Sequence, residues 1–537
     1  MSTNNKTMRT ASEIIGAVTE KYILNLDIDD LPSLSEIESE LLNETTEQIV
    51  LENQTRPKGA KLTVPQALTE YQIVRILTFI YPIVRINCGA DDSKNCLLGM
   101  YQEHGENEGI YVDCEEKIMN DAQELNKIST NLNLKSLVEK IRFAVPIIDR
   151  TTEPDKIAVN NGIFNFKTKE LEPFNPGYVF LAKSKVDYNP MAHNVVLHND
   201  DDGTDWDVES WVQSLSDDPE VVELLWQVLA ATVRPFVSWN KVALFYSELG
   251  NNGKGTFCEL VRNLSGRGTY ISIPISNFGQ RFALENLVGK NTIICDENDV
   301  GSFLDKASNF KAIATNDVVS IDRKFKAPID YRFCGFQIQC INEMLRFKDK
   351  SNSLYRRLLV IPFTKCFTGC ERTYIKKDYL ARKEVLEYVL FKVLNMDFYA
   401  LSEPFACKNA LAEYKVYNDP VRQCLEEVLE QTVWDLLPFT FLYDCYKSWF
   451  KKNMPNGLVE GRNTFINAVI RYIDERSDWY CPGKNTSIHT GKLMDTPEHL
   501  IAEYDLVEWK NPTYTGLDLD KVCSPNLKVN YTGIRRI

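Results

Sequence analysis

Lys254 sits in the run Phe245-Tyr-Ser-Glu-Leu-Gly-Asn-Asn-Gly-Lys-Gly-Thr-Phe257, which reads as a strand turning into a helix through a phosphate-binding loop. Gly250, Gly253 and Gly255 let successive backbone N–H groups face an anion at the helix start. With Asn251, Asn252 and Thr256 they make up the expected nucleotide loop. Lys254 supplies a point charge for β- and γ-phosphates, and a hydroxyl just after it can hold Mg²⁺. The pattern departs from G-x-x-x-x-G-K-[ST] twice: Glu248 takes the first glycine position and Gly255 the Ser/Thr position. Thr256, one residue late, is therefore the nearest hydroxyl for the metal. Taken alone, the run also fits a glycine-rich turn with a solvated lysine.

Further residues with matching chemistry follow in order. The apolar run Asn291-Thr-Ile-Ile-Cys-Asp-Glu297 suits a buried parallel strand with acids at its C-terminal end, the edge where ligands sit in open α/β sheets. Asp296 is suited to hold Mg²⁺ through water, and Glu297 to polarise an attacking water. A second buried-looking strand, Gly335 to Ile341, ends in Asn342, whose amide can orient that water and sense a γ-phosphate. Arg356 and Arg357 then stand directly before the strand Leu358 to Phe363. Each signal is weak alone, and their order strengthens all four.

On these residues the chain resembles the superfamily 3 helicase domain of the phage and plasmid primase–helicases and their poxvirus-type relatives. The resemblance rests on Asn252-Gly253-Lys254, Asp296-Glu297, a basic segment from Lys311 to Lys326, Asn342, and Arg356-Arg357 before Ile361-Pro362-Phe363. It extends upstream to Val159–Leu171 and Lys185–Pro190, which look like the family's pre-helicase module. It implies an α/β, AAA+-like P-loop ATPase core using ATP and Mg²⁺, with Thr256 and Asp296 at the metal. It also implies a homo-oligomeric ring, expected to be a hexamer, in which Arg357 reaches the neighbouring subunit's pocket. Single-stranded DNA would run through the central pore.

DNA contact is expected from the basic segment. Lys311, Arg323, Lys324 and Lys326 stand there against Asp317, Asp322 and Asp330, and a ring of such loops grips phosphates without reading bases. On composition alone, an ordinary solvated turn is the favoured reading, and the segment's place between the acidic strand and Asn342 is what turns it toward DNA contact.

The elements that must position these groups follow from punctuation and periodicity. Residues 1–65 read as an acidic helical arm, with helices near Ala11–Tyr22 and Leu34–Glu52. Residues 66–204 mix helix (Val64–Phe79, Leu134–Ala144) with short strands, and His198 to Thr204 reads as a polar turn. Residues 205–235 form one strongly helical stretch, the collar of the related proteins. The ATPase region spans 236–366, a helical connector 367–420, and residues 421–537 resemble a winged-helix domain. In that last part the helix from Arg462 would present Arg462 and Arg471 to origin duplex DNA.

Composition sets limits. The 537 residues suffice for three or four domains, and 44% hydrophobic with 25% charged residues are globular values. A formal charge of −14 excludes a protein coated in basic surface, so DNA contacts must be confined to a channel or a small domain. Fourteen cysteines without one Cys-x-x-Cys pair, beside five histidines, give no zinc-finger spacing and suit reduced thiols in a cytoplasmic setting. No apolar run is long enough to span a bilayer, so no membrane partner is expected.

The first 200 residues show neither a zinc ribbon nor a convincing catalytic carboxylate strand. The expectation is therefore a ring-forming DNA helicase of a phage or mobile element that works with a separate primase or other replication partner. Two readings stay open beside it: an origin-binding initiator whose ATPase only switches assembly, and a primase–helicase.

Overall fold

The computed structural model describes residues 8–89, 96–299, 303–304, 306–324, 326, 328–344, 346–347, 349–453 and 459–537. The chain is a mixed α/β protein whose contacts divide it into two units. One comprises Met1–Glu343 with Arg356–Cys407, and the other Met344–Tyr355 with Lys408–Ile537.

In the first unit, the N-terminal helices Ala11–Leu24 and Leu34–Gln54 both begin with capping boxes, Thr10/Glu13 and Ser33/Glu36. Their buried Ile14, Ile37 and Leu41 share a core with Ile73, Leu98, Leu137 and Ile141. That core lies on a four-stranded sheet ordered Tyr111–Asp113, Leu97–Tyr101, Ile83–Asn87, Ile147–Asp149. The helix expected from Val64 starts only at Glu70, because Thr69 caps it reciprocally with Gln72.

The collar stretch holds two helices, Val208–Ser214 and Pro219–Val233. Asp218 caps the second, and Pro219 at its first position has no N–H with which to continue the first. The expected polar turn at 198–204 is the tip of a short hairpin, Leu197–Asn199 with Thr204–Trp206. The helical connector expected over 367–420 is interrupted as well: a short Thr373–Lys377 turn precedes Lys383–Leu394.

The centre of this unit is a five-stranded parallel sheet. We label its strands β1 (Val242–Tyr246), β2 (Tyr270–Ile271), β3 (Thr292–Cys295), β4 (Phe336–Ile341) and β5 (Leu358–Pro362). Their spatial order is β2-β3-β4-β1-β5. Strands β3, β4 and β1 are almost wholly buried, as a parallel sheet covered on both faces requires; β3 and β1 are mainly apolar, while β4 also buries Gln337 and Gln339. Helix α1 (Lys254–Ser265), the collar helix Pro219–Val233 and helix Lys383–Leu394 share the sheet's core through Phe257, Leu260, Leu224, Leu229, Val389 and Leu390.

The second unit is built on helices Pro420–Gln431, Phe439–Asn453 and Arg462–Ile473. Strand Asn530–Arg536 pairs antiparallel with Leu436–Pro438, Trp479–Tyr480 and Ser487–His489. Trp434, Phe441, Phe465 and Trp509 fill its core. Among the described residues no helix is long and apolar enough to cross a membrane.

Candidate functional site

Register places the predicted chemistry at one edge of the parallel sheet. Tyr246 pairs with Ile341, Phe245 with Cys340, and Cys295 with Gln339. Because the strands run in the same direction, the glycine loop, Asp296-Glu297 and Asn342 all leave the sheet at its C-terminal end. The structure thus brings together the loop, the acids and the asparagine.

Gly253 caps α1 with φ +86, and a Cβ there would lie 2.6 Å from the Leu215 side chain, so both conformation and space demand glycine. Asn251 also has positive φ, 51°. Asn252 is buried and stitches the loop, donating to the Leu249 carbonyl and accepting from the Lys254 N–H at 3.2 Å.

Lys254 is only 6% exposed. Its ammonium donates to the Ser247 and Ile341 carbonyls (3.2 and 3.1 Å) and to Asn342 Oδ1 (2.7 Å). Burial pushes its pKa below the usual lysine value. All three acceptors are neutral, so the charge is hydrogen-bonded but not neutralised. A buried cation in that state is poised for an anion.

Asp296 is held by Arg262 of α1, which also pairs with Glu259 at 3.0 Å. Sequence reading did not single out Arg262. Its signal was available, since it stands eight residues after Lys254 on the same helix and so returns to a neighbouring face. Asn298 fixes the acidic turn: its side chain donates to Gln339 Oε1 (3.1 Å) and the Cys340 carbonyl (3.0 Å), and accepts from the Ile275 N–H (2.8 Å). Glu297 between them is exposed.

Beside the loop opens a cavity of about 660 Å³. Trp206, Trp211 and Leu215 of the collar line it, with Gly253 and Thr256 of the loop and Phe367 and Lys376 from the segment after β5. That segment is tied over the loop by Phe367 N–H to the Asn251 carbonyl (2.7 Å) and Asn251 Nδ2 to Glu371 (3.0 Å). Lys376 Nζ lies 3.6 Å from where a Cβ on Gly255 would stand, an ordinary contact distance, so a second cation stands beside the glycine at the usual Ser/Thr position. Sequence reading missed Trp211, Phe367 and Lys376, because no motif links residues so distant along the chain.

Arg356 and Arg357 lie at the opposite edge of the sheet. Leu358, which opens β5, pairs with Val242, which opens β1. A five-residue strand rises roughly 3.3 Å per residue, so the backbone at these arginines stands about 15 Å from their own glycine loop. Arg356 is exposed and Arg357 half-buried.

The basic segment is a short helix carrying Lys311 (Ser308–Ala314) and an antiparallel hairpin, Val318–Ile321 with Ile329–Arg332. Arg323, Lys324 and Lys326 stand at its turn. Lys326 pairs with Glu115 at 2.5 Å, and Arg142 binds the same carboxylate. Burial pushes the Glu115 carboxyl up, but Lys326 and Arg142 together hold it below the usual glutamate value. Lys326 is therefore already engaged within the unit. Lys326→Gln is expected to lower the melting temperature by about 2–4 °C, as loss of roughly 1 kcal/mol does in domains of 150–250 residues. Thermal unfolding measures this. The Lys326 effect should fade in acid as Glu115 protonates below its depressed pKa.

In the second unit, helix Arg462–Ile473 buries Phe465, Ile466, Val469 and Ile473 and leaves Arg462, Asn467 and Arg471 exposed.

Three family models match separate parts of the chain. Residues 99–217 match the family described as D5 N terminal like, and residues 417–505 that described as Poxvirus D5 protein-like. Residues 245–357, from the end of β1 to the arginine pair, match a family of unknown function, DUF5906. Among solved structures, the A form apo structure of the NrS-1 C-terminal region is similar at 15% identity, covering 82% of this chain and 92% of that one, with a TM-score of 0.42. A second apo structure of the NrS-1 C-terminal region (305–718) is similar at 16% identity, covering 72% and 93%, with a TM-score of 0.39.

Proposed function

We propose that the chain, whose residues 99–217 and 417–505 match the models described as D5 N terminal like and Poxvirus D5 protein-like, is a relative of the phage- and poxvirus-type primase–helicases and an ATP-dependent, ring-forming DNA helicase of the superfamily 3 type acting in replication. The observation that carries this reading is the Lys254–Asn342 hydrogen bond: a buried, un-neutralised cation joins the glycine loop to the end of β4, beside the acids that follow β3. The strand order and the placement of these groups at one edge support an AAA+ core for residues 236–366. The strand–helix–helix–strand succession of the second unit supports a winged-helix domain presenting Arg462 and Arg471 to duplex DNA.

In this reading the loop amides of residues 250–256 and Lys254 bind the β- and γ-phosphates of ATP. The base and ribose occupy the cavity between Trp211 and Phe367, with Lys376 as a second cation above Gly255. Asn342 releases Lys254 to the phosphate and takes up the γ-phosphate or the attacking water. Glu297, exposed and unconstrained, is the base that polarises this water. Arg262 orients Asp296.

The residues present fit a magnesium ion. Among the described residues there is no cluster of three or more acids, histidines or cysteines. One carboxylate (Asp296), one hydroxyl (Thr256), waters and phosphate oxygens are the donors Mg²⁺ accepts. When bound, the ion neutralises charge on the phosphate oxygens.

Because Arg356 and Arg357 sit at the far edge from their own loop, they serve the pocket of a neighbouring subunit. Hydrolysis then requires the ring, proposed as a hexamer, with Arg323 and Lys324 facing single-stranded DNA in the pore and Lys311 near it.

Trp211→Ala is expected to raise the KM for ATP about tenfold with kcat little changed, since stacking of a base on an aromatic contributes about 1–3 kcal/mol. Steady-state ATPase kinetics check this, and an unchanged KM removes the base from the cavity. The reading as a whole is tested by ATP-dependent strand displacement beside sizing of the assembly with and without nucleotide.

A further inference from the structure

A second, polar cavity of about 440 Å³ lies in the first unit, lined by Arg150, Arg332, Asn87, Asn316, Thr152 and Ser238 among others. It is formed where the N-terminal sheet meets the foot of the basic hairpin. The Arg332 N–H donates to the Cys88 carbonyl at 2.8 Å, and the Arg150 N–H to the Asn87 carbonyl at 3.2 Å. The approach is close: a Cβ on Gly89 would fall 2.6 Å from the Arg332 Cβ.

Arg150 is 8% exposed. Its Nη1 donates to the Arg332 carbonyl (3.1 Å) and the Tyr331 hydroxyl (3.4 Å), and its guanidinium lies 5.5 Å from the Phe236 and Tyr331 rings. Its Nε is buried without a hydrogen-bond partner. Among the described residues neither Arg150 nor Arg332 has an ion-pair partner. The cavity's own carboxylate, Asp149, accepts instead from Asn87 at 3.0 Å.

Burying a guanidinium without a counter-charge is costly, and two carbonyl or hydroxyl acceptors with two ring faces offset only part of that cost. Arg234 is another buried arginine with unpartnered nitrogens, but it is packed among Phe166, Trp239 and Tyr399 with no opening beside it in the described cavities. Arg150 differs because its charge faces a polar space that a second arginine shares. An anion with several oxygens suits that geometry, since planar guanidinium groups donate in parallel pairs to such oxygens.

We propose that this cavity binds a phosphate group through Arg150 and Arg332, at a site separate from the glycine loop. The group is either free phosphate, alone or on a small molecule, or a phosphodiester of a nucleic-acid strand that runs past the hairpin.

The test uses the full chain carrying Lys254→Ala, so that phosphate bound at the glycine loop does not obscure the result. Inorganic phosphate is titrated by calorimetry and a labelled 20-residue oligo-dT by fluorescence anisotropy, each with and without Arg332→Gln. Arg332 is exposed, so its replacement leaves the core intact, and thermal unfolding verifies this. The expected result is a loss of affinity of about tenfold or more in one titration, the loss expected for a charge-assisted contact. Loss in the phosphate titration assigns a small anion. Loss confined to oligo-dT, with a salt slope flatter by roughly 0.7, assigns a backbone phosphate. Arg150→Lys, which keeps the charge but not the fork, is expected to lose affinity in the same titration. Unchanged affinity in both titrations for Arg332→Gln overturns the proposal.

Discussion

Lys254→Ala is expected to lower ATP hydrolysis by about 10²–10³-fold or more, the scale of losing one preorganised donor to developing negative charge. The lysine is buried, and its ammonium is shared between Ser247, Ile341 and Asn342. Its removal leaves those acceptors to water but also removes a desolvated charge, so the folded state is expected to survive with a small change in stability. Steady-state ATPase assays and thermal unfolding together separate loss of chemistry from loss of fold. Hydrolysis at the parent rate would mean that the loop does not hold the nucleotide. Thr256→Ala is expected to be nearly as severe if its hydroxyl holds the metal, and milder if Asp296 and water carry it.

The second large effect concerns the arginines. A trans-acting arginine contributes about 10³–10⁵ in rate in related nucleoside triphosphatases. Arg357→Ala is expected to bind ATP and assemble normally, yet hydrolyse at least about 10³-fold more slowly. Arg356→Ala, made separately, identifies which guanidinium reaches the neighbour, given that Arg356 is the more exposed of the two. Mixing the impaired arginine variant with Lys254→Ala should restore partial activity, because each supplies the half-site the other lacks. No recovery at any mixing ratio counts against a site shared between subunits.

Much of the first unit's centre was legible because parallel strands buried on both faces leave continuous apolar runs. Val242–Tyr246 and Thr292–Cys295 are such runs, Phe336–Ile341 is one interrupted by Gln337 and Gln339, and each is followed by its polar residue. Helix ends were less legible where a cap or a proline overrides periodicity. Asp218-Pro219 divides the collar, and Thr69 with Gln72 delays the helix that was expected from Val64. Residues gathered by tertiary folding left no local pattern at all. Trp211 and Phe367 stand more than a hundred positions apart in sequence yet line one cavity, and Glu115 meets Lys326 across a comparable span. The Glu115 counter-charge of the basic turn was not legible either, because it comes from a helix that periodicity cannot place beside Lys326.

The central claim is most directly tested by strand displacement on a forked duplex that lacks any origin sequence, with ATP and Mg²⁺, comparing the parent chain with Lys254→Ala. The account predicts ATP-dependent separation of the strands by the parent chain and none by the variant. Hydrolysis of ATP without displacement on any fork would contradict it and favour an initiator whose ATPase only switches assembly.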